Sequence, residues 1–169
     1  MKTYKYVGSP AFIPKGEFPA RIQLDSVQDA RIWVEEHRSE LDIEECIAAT
    51  YVVDAKGLFW IADRSSEHVA CARVGTVLSA GEVFFSGIDD LVYIDRITNQ
   101  STGYCPEPSS WESVAESLTS VGIKFPTEFD PAFEFRHCDK CDTLNIVKDE
   151  FYTCMSCYED LSEEYNVQA

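Results

Sequence analysis

Apolar positions along this chain repeat with two different periods. After Ser26 the residues Ala30, Trp33, Val34 and His37 fall at helical spacing, and Ser26 followed by Asp29 is a helix-start signature. Residues 48–53 and 58–61 are β-branched and aromatic runs joined by Asp54-Ala55-Lys56-Gly57, which predicts a hairpin. Further strands are expected near 74–78, 82–86 and 91–97, with Gly81, Gly87 and Asp89-Asp90 as turns. The clearest helix follows: Trp111, Val114, Ala115, Leu118 and Val121 form one apolar stripe, which predicts a core-facing helix. Ser109 with Glu112 has the pattern of a capping box, and Gly122 follows the last apolar residue.

The ends of the chain read differently. Residues 1–24 carry Gly8, Pro10, Pro14, Gly16 and Pro19, so a short strand followed by irregular backbone is expected. Pro126 and Pro131 mark a boundary, after which Phe133-Glu134-Phe135 leads as a strand into a cysteine-rich segment. The pattern predicts an α+β fold: a mainly antiparallel sheet with two helices over 1–130, a small zinc ribbon over 131–162, and a tail at 163–169.

Seven cysteines are present, and four of them form two C-x2-C pairs, Cys138/Cys141 and Cys154/Cys157, separated by 12 residues. Each such pair makes a tight turn with both sulfurs on one side, and two facing turns build a tetrahedral thiolate cage. The spacing points to one structural Zn2+, because four cysteines leave no open coordination position. A mononuclear iron site shares the geometry, a C-x2-C pair also serves as a redox dithiol, and His137 beside Cys138 is an alternative ligand. Leu144–Val147 and 150–153 are expected to pair as the hairpin that brings the turns together. Cys46, Cys71 and Cys105 are scattered and read as small buried hydrophobes. Cys105 precedes Pro106, which biases it towards extended backbone.

Charge narrows the partners. The chain has 169 residues and a formal charge of −16, from 14 Lys+Arg against 30 Asp+Glu. Such a field repels phosphate backbones and anionic membranes and steers basic proteins or cationic ligands inwards. Acidic residues Asp139, Asp142, Asp149, Glu150, Glu159 and Asp160 surround the cysteines, opposed by Arg136, Lys140 and Lys148, so the ribbon reads as a docking or packing element and not a nucleic-acid binder. No apolar run approaches the roughly 20 residues of a membrane span, and no apolar stretch follows Met1-Lys2-Thr3. The expected location is the cytoplasm, where thiols stay reduced.

Between 64 and 106 the composition goes beyond what packing demands. Arg64-Ser65-Ser66-Glu67-His68 precedes Val69-Ala70-Cys71-Ala72; then come Ala80-Gly81-Glu82 and Ser101-Thr102-Gly103-Tyr104-Cys105-Pro106. These motifs resemble the core of plant IQ-motif calmodulin-binding proteins and related fungal and bacterial sequences. There a His-Ser-Ser segment, an Ala-Ala-Gly turn and a Ser-Gly-His-Tyr-x-Pro motif precede a helix. The resemblance covers about 60–125 and implies that His68, the Ala80-Gly81 turn, Ser101, Tyr104 and Pro106 lie around a shared cleft. Gly103 stands where that family has its second histidine, Glu82 where a basic residue is usual, and no IQ motif is present. It also resembles bacterial chains that join such a core to a zinc ribbon.

Two functions follow as expectations. One is a non-enzymatic interaction protein, such as an acidic immunity or antitoxin-like neutraliser of a basic protein. The other is an enzyme or small-ligand sensor with His68 as acid or base, Glu82 orienting it, and Ser101 and Tyr104 binding the ligand. A single histidine near a strand start is more often a satisfied structural residue than a catalyst. Hydroxyls around a glycine commonly cap turns.

Overall fold

A computed structural model of the chain describes residues 1–87 and 91–167. Five strands form one antiparallel sheet in the order β1 (Arg21–Gln23), β3 (Phe59–Asp63), β2 (Ile47–Asp54), β4 (Val77–Ser86), β5 (Tyr93–Ile97). The helices are α1 (Val27–Glu36), the single-turn α2 (His68–Cys71) between β3 and β4, and α3 (Trp111–Val121) after β5. A separate two-stranded pair, β6 (Glu134–His137) with β7 (Leu144–Val147), leads into the C-terminal cysteines. The architecture is α+β with a mainly antiparallel sheet, followed by a four-cysteine cluster. Among the described residues no helix is long and apolar enough to cross a membrane.

The two-residue period of β2 explains why its run is almost wholly apolar. Ile47, Ala49, Tyr51 and Val53 face the core shared with Ala30, Trp33 and Val34 of α1 and Val114, Leu118 and Val121 of α3. Val52 on the opposite face meets Ala62, Val69, Cys71, Val77, Ala80, Tyr104 and the N-terminal Tyr4. A strand covered on both faces has no polar side to display. The α1 start forms as its sequence predicts, with Asp29 Oδ2 accepting the Ser26 amide at 2.7 Å and its hydroxyl at 2.9 Å. The hairpin of β2 and β3 turns at Asp54, whose Oδ1 accepts the amides of Lys56 at 2.8 Å and Leu58 at 3.0 Å.

Several expectations are corrected. The strands near 74–78 and 82–86 are one strand, β4, and Gly81 lies inside it instead of making a turn. A Cβ at Gly81 would stand 2.0 Å from the Thr98 carbonyl oxygen, so the glycine permits a backbone crossing. His68 opens the single turn of α2 and does not stand at a strand start. The Ser109/Glu112 box does not form: Pro108–Ser110 is a 3-10 turn running into α3, and Ser110 Oγ meets Ser79 Oγ at 3.0 Å inside the core. The end of α3 is as predicted, with Gly122 left-handed at φ 77°. The Asp89-Asp90 turn lies outside the described residues.

Candidate metal centre

The C-terminal segment builds its cage from two turns with the same backbone plan. In the first, the Asp142 amide donates to the Cys138 carbonyl at 2.8 Å, and the Cys138 amide to the Thr143 carbonyl at 3.0 Å. In the second, the Tyr158 amide donates to the Cys154 carbonyl at 3.0 Å, and the Cys154 amide to the Glu159 carbonyl at 2.8 Å. The residue after each second cysteine is left-handed, Asp142 at φ 59° and Tyr158 at φ 63°. Both positions strain an L-residue by about 1–2 kcal/mol. Tyr158 is exposed, so Tyr158→Gly is expected to keep or raise the midpoint of thermal unfolding, partly offset by glycine's unfolded-state entropy. A drop of more than about 1 kcal/mol in denaturant titration would contradict this account of the turn.

The expected hairpin of 144–147 with 150–153 is corrected. β7 pairs with β6 in the register Glu134↔Val147 to His137↔Leu144. The 150–153 segment instead runs beside 160–161, through a bridge of Thr153 to Asp160 and the Leu161 amide on the Tyr152 carbonyl at 3.0 Å. Asp149 and Glu150 both have positive φ, 52° and 56°, which turns the chain away from β7.

The four sulfurs of Cys138, Cys141, Cys154 and Cys157 lie within 4.8 Å of one another. Cys138 and Cys157 Sγ are 3.5 Å apart, and Cys141 and Cys154 Sγ 3.6 Å. A disulfide needs about 2.05 Å, whereas a tetrahedral ion with bonds of about 2.3 Å spaces its sulfurs about 3.8 Å apart. These residues can hold a metal ion. The surroundings select thiolates: Cys154 is held down to about 6 by the backbone amides of Cys157 and Ser156 and by the Asn145 amide group. The Thr143 hydroxyl and amide lower Cys141. Cys157 is lowered most by the Glu159 amide, yet burial and the facing thiols of Cys141, Cys138 and Cys154 push it up to about 12. Four thiolates side by side need a cation to ionise together.

Asn145 does more than its sequence position suggests. Its Nδ2 donates to the Thr143 carbonyl at 2.9 Å and lies 3.6 Å from Cys154 Sγ, while its Oδ1 accepts the Met155 amide at 3.0 Å. It ties the first turn to the second as an outer-shell partner. Only its alternation on a strand between the cysteine pairs could have flagged it. Asn99 is similar. Buried, it donates to the carbonyls of Pro106 and Phe133, both at 2.8 Å, and accepts the Phe133 amide at 2.7 Å, clasping the sheet to the strand that opens the ribbon. Residues of the last segment also pack back: Tyr165 donates to the Cys105 carbonyl at 2.9 Å, Asn166 pairs with the backbone of His137, and Val167 joins Phe135 and Cys105.

No family model, curated protein or solved structure matches this chain. His68 opens α2, and its Nε2 lies 2.9 Å from the Gly81 carbonyl. Tyr104 is buried and donates to the Gly75 carbonyl at 2.8 Å, its ring edge-on to Tyr6. Glu82 is partly exposed and turns to Arg64 at 3.5 Å. Ser101 is buried, and its Oγ has no partner among the described residues. His68 borders a hollow of about 400 Å³ with Tyr6, Gly8, Glu67, Thr102 and Gly103, while Glu82, Ser101 and Tyr104 lie outside its lining. The Tyr6 ring occupies the space beside Gly103, where a Cβ would meet it at 2.6 Å.

Burial keeps His68 below the ordinary histidine value, partly countered by its bond to Gly81. Its folded pKa lies below its unfolded one, so stability is complete above about 6.5 and falls as pH drops from there towards the folded pKa. His68→Gln is expected to flatten that part of the curve, measured as the shift of thermal midpoint between pH 7.5 and pH 5.5 against the parent chain. An identical slope in both proteins would show that His68 does not contribute.

The three scattered cysteines are buried as expected. Burial first pushes Cys71 and Cys105 up to about 12 and Cys46 up to about 11, so none is a ready thiolate. Cys105 departs from the extended backbone expected before Pro106: its φ is 49°, in a turn closed by its own amide on the Ser101 carbonyl at 2.6 Å.

Proposed function

We propose that this chain is a non-enzymatic cytoplasmic interaction protein, stabilised by one structural zinc ion, that binds a basic protein partner in the manner of an immunity or antitoxin protein. Zinc is the ion that a closed four-thiolate tetrahedron suits best, and such a site contributes folding energy instead of chemistry.

The observation that carries the reading is the groove of about 440 Å³ beside β7, lined by Leu144, Ile146, Phe151, Thr153 and Met155. Phe151 and Met155 stand exposed there, an apolar surface of the kind that marks contact sites. Lys148 is the cation of its lining, and the other basic side chains of the segment are engaged elsewhere. Arg136 is buried and spent on Glu134 and the carbonyls of Ser162 and Glu163. Lys140 is paired with Glu159. Asp149 and Glu150 follow Lys148 in sequence and are exposed on the turn after β7. A partner with an apolar anchor flanked by Lys or Arg complements both features.

The test is recovery of the tagged chain from lysate of its own host at low and at high salt. A stoichiometric basic protein is expected, released at high salt and weakened by Asp149→Lys with Glu150→Lys. Association indifferent to ionic strength would count against the reading.

The small-ligand reading is favoured by one observation, the hollow beside His68, Glu67 and Tyr6. It predicts that a metabolite co-purifies with the chain and is lost in His68→Ala. Intact cellular behaviour in that variant, folded normally, would remove it.

A further inference from the structure

A second group of metal-ligating side chains lies far from the cysteines in sequence. A ring nitrogen of His37 and one carboxylate oxygen each of Glu40 and Asp63 lie within 4.8 Å of one another. They come from three pieces of backbone: His37 closes α1, Glu40 ends the 3-10 turn Arg38–Glu40, and Asp63 ends β3.

His37 is set up as a ligand. Its Nδ1 lies 2.9 Å from the Trp33 carbonyl oxygen. A carbonyl only accepts, so Nδ1 carries the proton and Nε2 keeps its lone pair. The imidazole also stacks on the Trp33 indole, with centroids 3.7 Å apart and planes 17° from parallel, which fixes where that lone pair points. Metal-bound histidines have this arrangement, one nitrogen on the ion and the other donating to a carbonyl. On Asp63, Oδ1 accepts the Ser65 amide at 2.8 Å and leaves Oδ2 to a ligand. Two nearby guanidinium groups are directed elsewhere, Arg38 to Glu35 at 3.2 Å and Arg64 to Glu82 at 3.5 Å. The negative end of the α1 dipole adds to the attraction for a cation.

We propose that His37, Glu40 and Asp63 form a second cation site, for a first-row divalent ion bound through His37 Nε2 and the two carboxylates. One imidazole with two carboxylates suits zinc, nickel or cobalt better than calcium or magnesium. Three protein ligands leave positions for water, so the site is open where the cysteine cage is closed. Bonds of about 2.1 Å bring donors to about 3–4 Å of one another, and rotation of the exposed Glu40 closes the remaining distance. The bound ion ties the end of α1 and the 3-10 turn to the C-terminal end of β3. Its affinity is well below that of the cage, because Glu40 must be ordered and the ligands stay wet.

Trp33 reports on the site, since a paramagnetic ion on His37 quenches the indole stacked against it. The experiment titrates Ni2+ into the full chain with zinc already in the cysteine cage and excess metal removed, following tryptophan fluorescence. Saturable quenching with a single equivalent is expected. Its midpoint should move at least tenfold to higher nickel in Glu40→Gln and in Asp63→Asn, and the quenching should vanish in His37→Gln. Glu40 is on the surface, so Glu40→Gln tests the site without endangering the fold. Quenching that does not saturate, or a midpoint unmoved in Glu40→Gln and Asp63→Asn, would overturn the proposal.

Discussion

Serine in place of Cys154 is expected to unfold the C-terminal segment from about residue 131 onwards while the five-stranded sheet and α3 persist. Cys154 is the most enclosed of the four thiols and the one that most neighbours hold as a thiolate, through the Ser156 amide at 3.4 Å and Asn145 at 3.6 Å. Around the cage, Val147 and Leu161 are the buried aliphatic residues, with Tyr152 packed against them. That apolar core is too small to fold a segment this short by itself. A structural zinc ion supplies about 10–16 kcal/mol in small metal domains, and losing one thiolate forfeits much of it. The expected loss is about 4 kcal/mol or more for the segment. Amide exchange checks it: protection at Arg136, Asn145 and Val147 should disappear, while Tyr51, Val52 and Val83 stay protected. Tyr165 and Val167 rest on Cys105 and Phe135 and should be released with the ribbon.

Gly81→Ala is expected to be the most damaging single change in the sheet. The new Cβ would lie 2.0 Å from the Thr98 oxygen and 2.8 Å from its carbonyl carbon. Thr98 cannot retreat freely, because its amide donates to the Glu82 carbonyl at 2.9 Å and its carbonyl accepts Tyr51 Oη at 3.0 Å in the closed core. Asn99, the next residue, is fixed to Pro106 and Phe133. Relief therefore requires moving β4 or the whole 98–106 connection, at about 3 kcal/mol or more. In a chain of this length that corresponds to a fall in thermal midpoint of about 6–12 °C. Gly57→Ala makes the control. Gly57 has φ 82° with nothing within 4 Å of a Cβ, so only backbone strain of about 1 kcal/mol applies. Equal effects at the two positions would show that the crossing at Thr98 is not tight.

What the sequence reveals of this fold follows periodicity, and what it hides depends on contacts distant in sequence. Trp111 to Val121 and Ile47 to Asp54 are legible because each buries a regular set of positions against the same core. Gly81 reads as a turn because a glycine between two apolar runs usually is one; the approach of Thr98, 17 residues later, leaves no local trace. Ser109 and Glu112 satisfy a capping pattern, but Ser110 finds a partner in Ser79 across the core and the helix starts without the box. The four cysteines of the cage are legible, since C-x2-C spacing itself encodes the turn, but the hairpin that joins the turns is not: β7 pairs with β6 instead of with 150–153. Asn145 and Asn99 are not legible either, because one asparagine looks like another until its partners are in place. In sequence Tyr104 and His68 read as polar groups around one cleft; in the structure both direct a polar atom at a backbone carbonyl, and only His68 of the two borders the hollow.

The most direct test of the central claim is the metal content and thiol reactivity of the purified native chain after exhaustive dialysis against a weak chelator. One zinc per chain is expected, with all seven cysteines unreactive towards a thiol reagent: four on the metal and three buried. A strong chelator should then expose four thiols and release the ion in equal proportion. A metal-free chain that retains the protected amides of β6 and β7 would contradict the account, because the ribbon would then be folding without the ion.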